Sequence, residues 1–161
     1  MTEDPQGRRR WLDCRLPPPL VAAVAAAIAW GLVRLAPMWT RDARSPWPLV
    51  AVLLLLSGVF GVGGVLAFRR RRTSINPHAP QRASTLVVEG PYRFSRNPMY
   101  LALVLALLAW CAWLANPVSL LGPAVFVAYL TRWQIAPEER VMREKFGDEY
   151  QRYCTRVRRW F

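Results

Sequence analysis

Pro48-Leu49-Val50-Ala51-Val52-Leu53-Leu54-Leu55-Leu56-Ser57-Gly58-Val59-Phe60-Gly61-Val62-Gly63-Gly64-Val65-Leu66-Ala67-Phe68 runs without a charge for about twenty residues, the length that crosses a hydrocarbon core of about 30 Å as one helix. Gly58, Gly61, Gly63 and Gly64 lie in its second half, where a missing side chain lets a second helix approach closely. Hydrophobic residues make up 53% of the 161, and they are concentrated in blocks of this kind. Such blocks suit burial in lipid, whereas a water-soluble core would spread them out.

On the N-terminal side, a run from Leu20 to Leu35, mostly alanine and valine, carries Trp30 and Arg34 near its end. Arginines precede it but no clean small-residue cleavage site follows, so it reads as a span and not as a signal peptide. On the C-terminal side, runs over 99–115 and 118–133 are separated by Asn116-Pro117, a tight break that predicts a helical hairpin. Each arm is slightly short for a full crossing, which leaves a tilted pair and a partly re-entrant pair both open. The expected fold is all-α: a single integral membrane domain over 1–161 with about four transmembrane helices (20–35, 48–68, 99–115 and 118–133). A loop over 69–97 and an amphipathic C-terminal helix over 137–157 complete it.

The net charge is +12, from 22 basic against 10 acidic residues, and 21 of the 22 are arginine. The arginines flank the apolar runs, so anionic lipid headgroups are their expected counter-charge, and no nucleic-acid-binding signature is present. Four basic residues lie in the N-terminal tail, two between the first two spans, seven in the 69–97 loop and eight from Arg132 onward. Four crossings put the three richer segments on one face, and the positive-inside rule makes that face the cytoplasm of an inner or plasma membrane. Both termini are then cytoplasmic. Cys14, Cys111 and Cys154 are too scattered for a disulfide framework or a zinc site, and His78 is the one histidine, so neither a metal centre nor a His-based triad is expected.

The segment from Pro137 opens with Glu138 and Glu139, where a helix N-terminus favours negative charge. Val141, Met142, Phe146, Tyr150, Tyr153 and Val157 recur at roughly helical spacing, interrupted by Gly147. Arg158-Arg159-Trp160-Phe161 suits the headgroup level.

Two polar cassettes border the last two apolar runs. The first is Gly90-Pro91-Tyr92-Arg93-Phe94-Ser95-Arg96-Asn97-Pro98-Met99-Tyr100. Gly90-Pro91 signals a turn, and Asn97-Pro98 signals a helix start with Asn as cap. Tyr92, Phe94 and Tyr100 could stack on a planar ring, and Arg93 and Arg96 could hold anions; an interfacial aromatic and arginine belt is the bland alternative. The second cassette is Pro137-Glu138-Glu139-Arg140. Its acidic pair either caps a helix or accepts hydrogen bonds from an ammonium group or ribose hydroxyls.

Together the cassettes resemble the isoprenylcysteine carboxyl methyltransferases and related phospholipid methyltransferases. The run Leu86-Val87-Val88-Glu89-Gly90 through Tyr100 is similar to that family's signature. The later Pro137-Glu138-Glu139-Arg140, with Lys145-Phe146-Gly147-Asp148-Glu149-Tyr150 behind it, is similar to its closing motif. The resemblance covers about half the chain, from Pro77 to Phe161. It implies an all-helical integral membrane methyltransferase that uses S-adenosylmethionine. Ser84, Thr85, Leu86, Val87 and Tyr92 would line the cofactor, Asn97, Pro98, Met99 and Tyr100 would hold it, and Glu138 would face it. Two departures are visible. Asn97 stands where many members have histidine, which removes a proton-transfer role there. Gln134 stands where the carboxyl methyltransferases place an arginine that meets the substrate carboxylate, with Arg132 two residues earlier. That change argues against prenylcysteine-type substrates and leaves Arg132 and Gln134 as candidate substrate contacts.

Methyl transfer needs the acceptor aligned with the methyl group, and alignment alone supplies on the order of 7–11 kcal/mol. A carboxylate acceptor needs no base, whereas an amine or thiol does, with Glu139 or a tyrosine as the candidate. The expected enzyme takes a lipophilic small molecule or lipid from the bilayer. The alternative is a non-enzymatic interaction or lipid-binding protein, in which the two cassettes never meet. The oligomeric state is open at this level.

Overall fold

The computed structural model describes residues 16–40, 46–70 and 85–161. Every element in them is helical: α1 (Pro18–Leu35), α2 (Trp47–Arg70), α3 (Pro98–Leu114), α4 (Leu121–Leu130) and α5 (Ala136–Arg156), joined by short 3-10 and π turns. The all-α expectation holds. α1 and α2 are each long and apolar enough to cross a membrane, while α3 is apolar but shorter, at 17 residues. Leu49, Val52, Leu54, Leu55, Leu56, Val59, Val62 and Leu66 all stand exposed along α2. Water would not tolerate such a stripe; lipid does.

α2 lies along α3, and α1 packs against both α3 and α4. Small residues set these distances. A Cβ on Gly64 would come within 2.8 Å of Met99 Cγ, and one on Gly61 within 3.3 Å of the Ala102 methyl. Ser57 donates to the Ala102 carbonyl at 2.8 Å. Gly122 of α4 sits so close to α1 that a Cβ would meet the Ala25 carbonyl oxygen at 2.8 Å. The reading of close helix approach therefore holds for Gly61 and Gly64, while Gly63 lies against Pro91 ahead of α3 and Gly58 faces open space.

The α3–α4 hairpin turns at Ala115, in left-handed conformation with φ 51, and at Asn116. The Asn116 side chain accepts from the Val118 amide at 3.0 Å and donates to the Ala36 carbonyl and Thr40 Oγ1 at 3.0 and 3.1 Å. One amide thus closes the turn and ties it to the end of α1.

The expected break between the last span and the C-terminal helix is absent. α4 continues through a π turn at Thr131–Ile135 straight into α5. Pro137 explains the π turn. It lacks an N–H and its ring would collide with the carbonyl four residues back, so the backbone widens and Ala136 N–H bonds to Thr131 O, five residues back. Glu138 and Glu139 consequently do not cap a free helix N-terminus. The real break comes at Gly147, whose φ 48 and ψ −123 suit glycine alone. Beyond it Tyr150, Tyr153 and Val157 are buried, with Met142 and Phe146 packed beside them, as the periodicity predicted.

Candidate functional site

Thr85 is exposed, and the chain then runs extended, so Leu86 and Val87 face different clusters. Leu86 packs on the Tyr150–Tyr153–Val157 cluster, and Val87 joins Ala67 and Tyr92 at the end of α2. Ser84 lies outside the described residues, as does the stretch 71–84 of the loop. Gly90–Arg93 forms a 3-10 turn that starts from a positive φ at Gly90 and buries Tyr92. The Tyr92 ring meets Phe68 edge-on, with centroids 5.4 Å apart, and its carbonyl accepts from Tyr153 Oη at 2.7 Å. Burial pushes the Tyr92 phenol well above its usual range, so it stays a neutral donor. Phe94 points outward and stacks on nothing among the described residues, whereas Arg96 is largely buried.

Asn97 occupies the position before α3, but its side chain does not cap the helix. It donates instead to the Arg159 carbonyl at 3.0 Å. Pro98 is fully buried at the first helical position, and Met99 covers Gly64. Tyr100, one residue on, points into the space between α3 and the α4–α5 rod.

There it meets the second cassette. Tyr100 Oη donates to Glu138 Oε1 at 2.6 Å, and Gln134 Nε2 donates to the same oxygen at 2.7 Å. Gln134 Nε2 also lies 3.4 Å from Tyr100 Oη. Gln134 and Glu138 are one helical turn apart on one face, which is why both reach the tyrosine. Desolvation pushes the Glu138 carboxyl up to about 7, against the opposing pull of its two hydrogen bonds. Both of these hydrogen bonds fall on Oε1. Arg132 is exposed on the π turn and takes no part in this group.

Glu139 faces elsewhere, 5% exposed. Arg159 holds it through two hydrogen bonds, Nε to Oε1 at 3.0 Å and Nη2 to Oε2 at 2.6 Å. Arg96 Nη2 adds a contact at 3.1 Å, and Arg143 approaches to 3.7 Å from the solvent side. Glu139 is thus tied to Arg159 and Arg96 and does not join the Tyr100–Gln134–Glu138 group. Arg159 thereby joins the second cassette from 20 residues further along the chain. It is the residue that sequence reasoning missed, because nothing periodic links positions 139 and 159.

The last residues fold back over the site. The Arg158 carbonyl accepts from the Arg96 amide at 3.0 Å. Trp160 Nε1 donates to Thr131 Oγ1 at 3.3 Å, and the Phe161 ring meets Phe60 of α2 edge-on at 6.1 Å.

The sequence model of the phospholipid methyltransferase family matches residues 48–149. An uncharacterized protein of Haemophilus influenzae is 52% identical over 62 residues, 38% of this chain and 98% of that protein. Methanethiol S-methyltransferase 1 of Bradyrhizobium diazoefficiens is 41% identical over 69 residues, 41% of this chain and 22% of its own. Protein-S-isoprenylcysteine O-methyltransferase B of Arabidopsis thaliana is 26% identical over 105 residues, 65% of this chain and 53% of its own. The chain thus spans about half or less of the two named enzymes. No solved structure matches it. With the family sequence aligned across both cassettes and the hairpin between them, this chain belongs to the phospholipid methyltransferase family.

Proposed function

We propose that this chain is an S-adenosylmethionine-dependent methyltransferase working at the cytoplasmic membrane interface on a lipophilic acceptor. One observation carries the reading: the 2.6 Å hydrogen bond from Tyr100 to Glu138, which brings two motifs 38 residues apart into one site. The non-enzymatic alternative required that the cassettes never meet.

The donor set fits the cofactor. S-adenosylmethionine, when bound, supplies an activated methyl group together with an ammonium and ribose hydroxyls. Glu138 presents a carboxylate whose Oε1 is already oriented by Tyr100 and Gln134, so its Oε2 can accept from such donors with little reorganisation. Pro98, Met99 and Tyr100 open α3 beside it, with Asn97 held in place through Arg159. Leu86, Val87 and Tyr92 would form a wall along the stretch that leads into the 3-10 turn, beside Thr85; Ser84 keeps only the cofactor-lining role that the family resemblance implies. Arg132 and Gln134 stay the candidates nearest the acceptor path.

Gln134 is neutral and buried, and the nearby arginines converge on Glu139 instead. A carboxylate acceptor would find no arginine partner beside Gln134 among the described residues. A neutral thiol or amine needs no such partner. The alignment with a methanethiol S-methyltransferase favours the same direction.

We also propose four crossings with both termini in the cytoplasm. The arginine distribution supports this, as does the placement of both cassettes at one end of the bundle. The test is incubation of the purified chain and host lipids with methyl-labelled cofactor, followed by identification of the labelled product. A folded chain with no affinity for S-adenosylhomocysteine would overturn the reading.

A further inference from the structure

The Tyr100–Glu138 contact spans two helices whose direct covalent connection lies far away. α3 and the α4–α5 rod join at Asn116, 22 positions before Glu138. At a rise of about 1.5 Å per residue that is a lever of roughly 30 Å, and a tilt of about 5° at the turn would move Glu138 by about 2–3 Å. Such a shift breaks a hydrogen bond that tolerates only a few tenths of an ångström. The rod also carries a π turn at Thr131–Ile135, where its hydrogen bonding is irregular. The register of the two motifs therefore needs a local lock.

We infer that Arg159 is that lock, a positioning residue that holds the first cassette with its main chain and the second with its side chain. Its carbonyl accepts from Asn97 Nδ2 at 3.0 Å and Ser95 Oγ at 3.3 Å, just ahead of α3. Its guanidinium grips both oxygens of Glu139, the residue after Glu138. A two-point grip fixes orientation as well as distance. Arg143 cannot do this, because it sits on the same helix as Glu139, one turn away. Arg96 contributes a single contact from the other side. Trp160 and Phe161 then pin the tail to Thr131 and Phe60.

The purpose of the lock rests on the proposed cofactor site, but its geometry is measurable without any cofactor. In the full chain in nanodiscs, with Cys14, Cys111 and Cys154 replaced by serine, Tyr100→Cys and Glu138→Cys are introduced together. This removes their hydrogen bond, and a bifunctional methanethiosulfonate reagent, whose short spacer replaces the reach of the two lost side chains, then reads by its trapping rate the alignment that the rest of the protein imposes. Arg159→Gln is expected to slow trapping by about tenfold, the equivalent of one charge-assisted contact. Arg143→Gln, which removes the same charge outside the lock, is expected to leave the rate unchanged. Should Arg159→Gln fail to fold, Arg159→Lys keeps the charge without the two-point grip and is expected to slow trapping severalfold. Trapping at the parental rate in a folded Arg159 variant overturns the inference. In the unmodified chain, titration with S-adenosylhomocysteine separates the two ideas. No binding by the parent chain, together with Arg159-dependent trapping, sinks the cofactor site and leaves the lock standing.

Discussion

Tyr100 Oη and Glu138 Oε1 stand 2.6 Å apart, and Gln134 Nε2 approaches the same oxygen at 2.7 Å from one turn back on the rod. The pair converts two sequence motifs into one chemical group. Next to it, Glu139 is fully engaged by Arg159 and Arg96. Two adjacent carboxylates thus face different partners, Glu138 the Tyr100–Gln134 pair and Glu139 the arginines.

Tyr100→Phe should weaken binding of S-adenosylhomocysteine by roughly tenfold, since a hydrogen bond to a charged group contributes about 1.5–3 kcal/mol. Glu138→Ala should weaken it further. Isothermal titration calorimetry in detergent measures both, and unchanged affinity in the two variants would take the site away from this pair.

Cofactor binding should depend on pH through Glu138. Burial raises its folded carboxyl from the ordinary 4.5 to about 7, so between those values the folded chain holds a proton that the unfolded chain has released. Its contribution to folding stability is thus greatest below pH 4.5 and is lost as pH rises to about 7. A cationic ligand group needs the ionised form. Affinity should therefore fall as pH drops below about 7, by at most about tenfold per unit, and level off above it. Glu138→Gln should flatten the profile; a slope that survives in this variant assigns the titration to another group.

Replacing Glu139 should cost stability more than chemistry. Glu139→Gln leaves buried Arg96 and half-buried Arg159 without their counter-charge, a loss of about 3 kcal/mol. The thermal midpoint in detergent should fall, while residual turnover of the folded fraction keeps the wild-type pH profile. Wild-type stability with abolished turnover would return Glu139 to the reaction.

Glycine substitutions should sort by contact. Gly122→Ala pushes a methyl against the Ala25 carbonyl and should destabilise by about 1–3 kcal/mol, because backbone must move. Gly58→Ala meets nothing within 4 Å and should be neutral or stabilising by up to about 1 kcal/mol. Parallel melting curves test the contrast, and equal losses would mean that α1 and α4 are not held at this distance.

Much of the architecture was legible along the chain because it depends on local properties. The lengths of the apolar runs set α1, α2 and α3 to within two residues, and Asn116-Pro117 marked the turn. Both cassettes were recognisable as motifs, and the spacing of Tyr150, Tyr153 and Val157 announced the buried face of α5. The family match begins at residue 48, earlier than the motifs alone suggested, since generic apolar helices carry little that the eye can distinguish.

Three features were not legible: the unbroken α4–α5 rod, the folded-back tail, and the division of labour between Glu138 and Glu139. A helix turns about 100° per residue, so neighbouring side chains face different surroundings and phase decides which one enters the site. The π turn before Pro137 takes up an extra residue and rotates everything after it by about that angle. Composition and spacing place an acidic pair at 138 and 139; only the wound and packed helix, with Arg159 brought back from the far end of α5, determines that Glu138 turns toward Tyr100 and Glu139 toward the arginines.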